Sequence, residues 1–190
     1  SAAIRYAVDS GARVLAMPFT LFPVSGDIQS AVEYAFSKGA ILVAAAGNEA
    51  SEIFDKSLAA QDKVITVGST DNDGKISAWS NTGSEIDLYA PWDVIGSGDD
   101  HAGTSFSAAF VAGLAALILE DNPEFTPDDV LCTLKKFMAD IQPALGSSAQ
   151  VKGVDVVEVT SLQDALLKQS KEFTGTSVAL DVVTSEDMQK

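Results

Sequence analysis

The sequence predicts an α/β fold, a mostly parallel sheet with helices on both faces, and three stretches carry that prediction. Ile41 to Ala46 is apolar at every position, as a strand must be when both faces of its sheet are covered. The shorter apolar strand Arg13 to Met17 precedes it, and the amphipathic stretch between them completes a right-handed βαβ unit. Phe106 to Leu119 has no polar face, which suits a buried central helix running through the domain and not one laid on its surface.

In chain order, residues 2–10 place Ile4, Ala7 and Val8 on one face of a short helix that Gly11 ends. The strand at 13–17 leads into a loop over 18–26 that holds Phe19, Leu21 and Phe22. Burial beneath the next helix is expected for these three, in preference to an open lined groove. Asp27 is placed to cap a helix over 28–38, where Ile28, Ala31, Val32, Ala35 and Phe36 follow helical spacing and Gly39 is the stop. After Ile41 to Ala46, the next strand is Val64 to Val67. Asp71-Asn72-Asp73-Gly74 is a turn, and Ile76 to Trp79 and Ile86 to Tyr89 read as short strands. Pro91 to Gly103 is loop. The central helix follows and is ended by Pro123. Gly113, inside it, implies close approach of another backbone, because glycine there costs about 1 kcal/mol relative to alanine. Thr126 caps a further helix with Pro127 at its first position and Asp129 three residues on. Val130, Leu131, Leu134 and Phe137 face inward along it. Residues 141–153 form a polar linker. Val154 to Val159 reads as an edge strand, Ser161 to Lys171 as a helix and Val178 to Val183 as a short strand. Residues 1–140 thus form one unit and 141–190 a C-terminal extension.

Composition narrows the function. With 190 residues, 46% of them apolar, the chain can bury a core. Its net charge of −15 would repel phosphates, which argues against nucleic acid as a partner. The apolar run from Phe106 falls short of the roughly 18–20 residues of a membrane span, so none is expected. Cys132 is the single cysteine; it permits no internal disulfide and reads as helix packing. The Asp71 turn superficially suggests a calcium loop. However, Lys75 stands where another oxygen ligand is needed and no glutamate closes the loop. No metal or cofactor is expected. The chain begins at Ser1 with no signal-peptide pattern, as a piece of a longer polypeptide would.

Two stretches carry chemistry. Gly103-Thr104-Ser105 opens the central helix, where free N–H groups and the helix dipole favour negative charge. That environment suits a nucleophile whose intermediate is an oxyanion, although a serine there is more often only a cap. The second stretch is the strand running into Ala45-Ala46-Gly47-Asn48-Glu49. In this order the two resemble the subtilisin-like serine proteases (subtilases, peptidase S8). Val64-Ile65-Thr66-Val67-Gly68, Ser77-Ala78-Trp79-Ser80-Asn81-Thr82-Gly83 and Ile86-Asp87-Leu88-Tyr89-Ala90-Pro91 extend the resemblance, which covers residues 2–139. It implies a serine endopeptidase acting on peptide or protein substrates, in a secreted or compartment-lumenal setting. By resemblance Ser105 is the nucleophile, Asn48 and the Ser105 N–H form the oxyanion hole, and Ala45, Ala46 and Gly47 line the primary specificity pocket. The Asn48 amide is expected to point toward the Ser105 hydroxyl across a shallow cleft.

The same resemblance implies a gap. The chemistry needs a histidine and an orienting carboxylate, and in this family both precede the serine in the chain. They are expected in the N-terminal part of the same precursor, so the isolated chain is expected to be inactive. His101, the only histidine, does not lie in the family's histidine motif and reads as an exposed loop residue beside Asp99 and Asp100. Two stretches depart from the pattern. Ala109 and Phe110 replace the usual proline and histidine after the nucleophile. Ala16-Met17-Pro18-Phe19-Thr20 replaces asparagine, methionine, serine, leucine, glycine in the substrate-binding strand. Proline has no N–H to donate to an added strand. A catalytically inactive pseudoprotease, serving as a structural or protein-binding subunit, is the second reading. An α/β-hydrolase is excluded because Ser107 stands where its nucleophile elbow has a second glycine. A dinucleotide site is excluded because Gly96-Ser97-Gly98 has no third glycine in register.

Overall fold

The computed structural model describes residues 1–71, 74–92 and 102–141, with side chains to residue 136. Eight elements follow in order: α1 (Ala2–Asp9), β1 (Val14–Met17), α2 (Gly26–Ser37), β2 (Ile41–Ala45), β3 (Ile65–Thr70), β4 (Leu88–Pro91), α3 (Thr104–Asp121) and α4 (Pro127–Ile141). The four strands form one parallel sheet in the order β1-β2-β3-β4. Alternation along β2 explains the layers. Ile41, Val43 and Ala45 point to one face, where they pack with Val111, Leu114 and Ala115 of α3 and with Val130 and Leu134 of α4. Leu42 and Ala44 point to the other, where they pack with Val32 and Ala35 of α2 and, partly buried, Ile4 and Val8 of α1. Every residue of β2 is buried. Each of its larger side chains, fully withdrawn from water, contributes about 1.5–3 kcal/mol.

Long-range polar contacts fasten the layers. The Arg13 guanidinium donates to Pro123 O at 2.8 Å and to Phe125 O at 3.0 Å, tying the start of β1 to the α3–α4 connection. Lys135 of α4 pairs with Asp87 at 3.1 Å, and the other oxygen of Asp87 accepts the Thr66 N–H. Thr126 and Asp129 form the expected capping box: Thr126 N–H donates to Asp129 at 3.0 Å and Asp129 N–H to the Thr126 hydroxyl at 3.2 Å.

Several sequence expectations are corrected. Ser25, not Asp27, caps α2, its hydroxyl accepting the Ile28 N–H; Asp27 lies in the first turn, where the dipole favours a carboxylate. Phe19 and Phe22 are 51% and 58% exposed, and only Leu21 tucks against the α2 side of the core. Two backbone bonds, Leu58 N–H to Leu21 O and Val24 N–H to Lys56 O, hold this segment along its neighbour. Phe22 meets the ring of Phe54 instead of the core. Ile76 to Trp79 is a turn with one bridge, Ile76 to Thr70, because the Ser77 and Ser80 hydroxyls bond to Ser69 of β3. Ile86 to Tyr89 is displaced to Leu88–Pro91.

The central helix is buried on one side only. Thr104, Ser107, Ala108, Val111, Ala112, Leu114, Ala115 and Leu119 face inward, whereas Ala109 and Leu117 are exposed. α3 starts one residue before Ser105 and ends at Asp121, ahead of Pro123. By length and hydropathy α3 could cross a membrane, but it packs along this sheet. A Cβ built on Gly113 meets nothing within 4 Å, so among the described residues no backbone approaches it closely. Cys132 is exposed on α4, not packed. Expectations for Asp93 to His101 and for residues beyond 141 lie outside the described residues.

Candidate active site

β2 leaves the sheet through Ala46 and Gly47. Gly47 has φ +107°, and a Cβ there would collide with Asn81 and lie 2.6 Å from a Glu49 carboxylate oxygen, so glycine alone fits this turn. Asn48 follows at the surface. Its Oδ1 accepts the Thr104 N–H at 2.9 Å and the Thr104 hydroxyl at 3.0 Å. A backbone N–H can only donate, so the oxygen of Asn48 must face Thr104. The Nδ2 hydrogens of Asn48 have no protein acceptor among the described residues.

Thr104 is fully buried as the first residue of α3. Its hydroxyl also accepts the Gly47 N–H at 3.1 Å, so one side chain clasps the end of β2 to the start of the helix. Ser105 is half-buried at the second helical position. Its N–H belongs to the first turn, where no intrahelical acceptor exists and the dipole is positive. The Ser107 hydroxyl donates to Ala90 O at 2.8 Å and fixes the rotation of α3 against the end of β4. Ends of β2 and β4 and the start of α3 thereby meet, at the carboxyl ends of parallel strands where α/β folds bind ligands.

The Asn48 carboxamide therefore lies on the residue before Ser105, held by its oxygen. Ala45 and Ala46 are 1% and 4% exposed; Ala45 packs in the α3 side of the core and Ala46 with Ile53, Ala59 and Tyr89. Gly47 is buried as well. His101 lies outside the described residues. Two residues around the site escape sequence reasoning, Thr104 and Asn81. Thr104 reads as a helix-start residue, and Asn81 lies in a serine-rich turn about thirty positions from Asn48; only their contacts reveal them. Gly68 has a similar hidden part. A Cβ there would run into the Tyr89 ring, which lies against β3, and burial pushes the Tyr89 phenol up from its ordinary range. Groups of histidine, cysteine, aspartate and glutamate able to hold a metal are absent among the described residues.

Ser105 and Asn48, the two residues that the sequence resemblance singles out, thus lie on adjoining segments, with the Asn48 carboxamide bonded to the residue before Ser105. The profile of the subtilase family matches residues 1–158. The chain belongs to the subtilase family. It is 38% identical over 122 residues to a thermophilic serine proteinase of Bacillus sp. (strain AK1), covering 61% of this chain and 30% of the relative. It is 36% identical over 121 residues to thermitase of Thermoactinomyces vulgaris, covering 60% of this chain and 43% of thermitase. In three dimensions it matches a cold adapted subtilisin-like serine proteinase with a TM-score of 0.64 at 26% identity, over 83% of this chain and 59% of that one. The α/β architecture is thus the subtilisin-like one. The chain spans less than half the length of the two subtilase relatives matched by sequence.

Proposed function

We propose that this chain carries the nucleophile and oxyanion-hole part of a subtilisin-type serine endopeptidase. Ser105 Oγ attacks the scissile carbonyl and forms the acyl-enzyme. Asn48 Nδ2 and the Ser105 N–H donate to the oxygen that becomes negative. The proton from Ser105 passes to a histidine, oriented by an aspartate, and from it to the leaving amine as the peptide C–N bond breaks; both groups are supplied by the N-terminal part of the same precursor. That part is the chain's expected partner, and β1 offers an unpaired edge to it among the described strands. Ala45, Ala46 and Gly47 line the specificity pocket in this reading, contributing mainly backbone.

The observation that carries the proposal is the bond from the Thr104 N–H to Asn48 Oδ1. It anchors the Asn48 carboxamide by its oxygen on the residue before Ser105 and leaves Nδ2 available as a donor, which a helix cap alone does not require. The pseudoprotease reading draws on Pro18, exposed directly after β1, where a substrate strand would seek an N–H. Hydrolysis of a fluorogenic peptide separates the two. The isolated chain is expected to be inactive, the chain combined with the upstream segment active, and the Ser105→Ala pair inactive. A folded, combined protein that hydrolyses nothing would favour the pseudoprotease.

A further inference from the structure

Asn81 is 2% exposed and far along the chain from Asn48, yet its side chain uses every hydrogen-bonding capacity on the turn that holds Asn48. Its Oδ1 accepts from Glu49 N–H at 3.0 Å, Ser51 N–H at 3.2 Å and the Ser51 hydroxyl at 3.4 Å. Its Nδ2 donates to Ala46 O at 3.0 Å and to the Glu49 carboxylate at 2.8 Å. Two backbone donors on one side and a carbonyl with a carboxylate on the other leave only this amide orientation. The same Glu49 oxygen accepts the Asn48 N–H at 3.0 Å. Asn81 thus grips the chain before Asn48 and after it, and orients the carboxylate that holds Asn48 itself.

This grip acts on a turn that would not hold its shape unaided. Gly47 is at φ +107° and Ala50 at φ +50°, a left-handed conformation that costs an alanine free energy. Backbone bonds run alongside: Asn81 N–H to Gly47 O at 3.0 Å, Ala50 N–H to Trp79 O at 3.0 Å and Thr82 N–H to Ser51 O at 2.9 Å. They leave Ala46 O, Glu49 N–H and Ser51 N–H to the Asn81 side chain. A buried residue cannot touch substrate, and nothing in its contacts reaches Ser105.

We propose that Asn81 is the positioning residue of the oxyanion hole: it locks the strained Gly47–Ser51 turn so that Asn48 keeps its oxygen on Thr104 and its Nδ2 available to the oxyanion. The inference rests on the oxyanion role of Asn48, so it is tested by two readouts, one independent of catalysis. The first is amide hydrogen exchange in the 190-residue chain. In Asn81→Ala, exchange of the Thr104 N–H is expected to rise at least tenfold while amides inside α3, such as Leu114, stay protected. Asn81→Asp keeps the acceptor side and loses both donations, so an intermediate rise is expected; it also serves if the alanine variant does not fold. Unchanged Thr104 exchange in a folded variant overturns the proposal, as does a uniform rise across α3. The second readout is a kinetic cycle in the chain completed by its upstream segment. Asn81→Ala is expected to lower kcat at least tenfold with KM nearly unchanged, and to cost nothing further in an Asn48→Ala background. Effects that multiply would show that Asn81 does not act through Asn48. If wild type shows no turnover at all, the endopeptidase reading fails, while the exchange data still decide whether Asn81 positions Asn48.

Discussion

The loops that follow β1 and β2 leave the same end of the sheet side by side, and they are held in opposite ways. After β1, residues 18–25 carry Phe19 and Phe22, both largely exposed, and are tied to residues 54–58 by two backbone bonds and a ring contact of 5.4 Å between Phe22 and Phe54. After β2, the segment from Ala46 to Ile53 is bound by buried Thr104, by Asn81 and by the Glu49 carboxylate. Both segments are exposed at half or more of their positions, and only the second is anchored by buried polar side chains. A donor aimed at a developing charge needs a fixed direction, and only the second loop provides one.

That contrast can be broken by substitution. The largest effect belongs to Asn48→Ala in the completed enzyme, which is expected to lower kcat roughly 10²–10³-fold, the range found on removing such a donor from a subtilisin. A loss below about threefold would place the oxyanion elsewhere. Next comes Thr104→Val, which leaves the Gly47 N–H buried without its acceptor. It is expected to destabilise the fold by about 1–3 kcal/mol in urea unfolding; an unchanged midpoint would mean that the clasp is dispensable. In the β1 loop the expectation reverses. Phe22→Ser and Phe54→Ser are expected to shift stability by no more than about 0.5 kcal/mol, and a much larger loss would return these rings to the core.

Smaller effects test the corrected helices. Gly113→Ala is expected to stabilise by about 1 kcal/mol, since its site is open and alanine is the better helix former. A fall in melting temperature would restore the close backbone approach that the sequence suggested. The smallest effect is pH-dependent. Bonds from Thr126 hold the Asp129 carboxyl below the usual aspartate range. A lowered folded pKa stabilises above the unfolded value, about 3.9, and that contribution is lost as pH falls through the folded one. The difference in melting temperature between wild type and Thr126→Ala is therefore expected to shrink below that value, and a constant difference would uncouple Asp129 from the cap.

The parallel sheet was legible because Ile41 to Ala45 is buried on both faces and therefore apolar throughout, and the α4 cap because Thr126, Pro127 and Asp129 interact locally. Phe19 and Phe22 were misjudged because hydropathy says nothing of the partners available; Leu58 and Lys56 capture that backbone and turn the rings outward. In α3, apolar residues on every face concealed that only one side meets the sheet. Ser105 and Asn48 stood out through motifs at the ends of regular elements. Asn81 and Thr104 did not, because their contacts join segments far apart in sequence and leave no periodic trace.

The central claim is that Ser105 is a nucleophile completed by groups from upstream. Labelling with a serine-directed peptidyl phosphonate, with the adduct mapped by mass spectrometry, tests it most directly. The account predicts no adduct on the isolated chain, an adduct at Ser105 once the upstream segment is supplied, and none in Ser105→Ala. Strong labelling of the isolated chain would mean that His101 or another group within it activates Ser105. A folded pair that stays unlabelled would contradict the catalytic assignment.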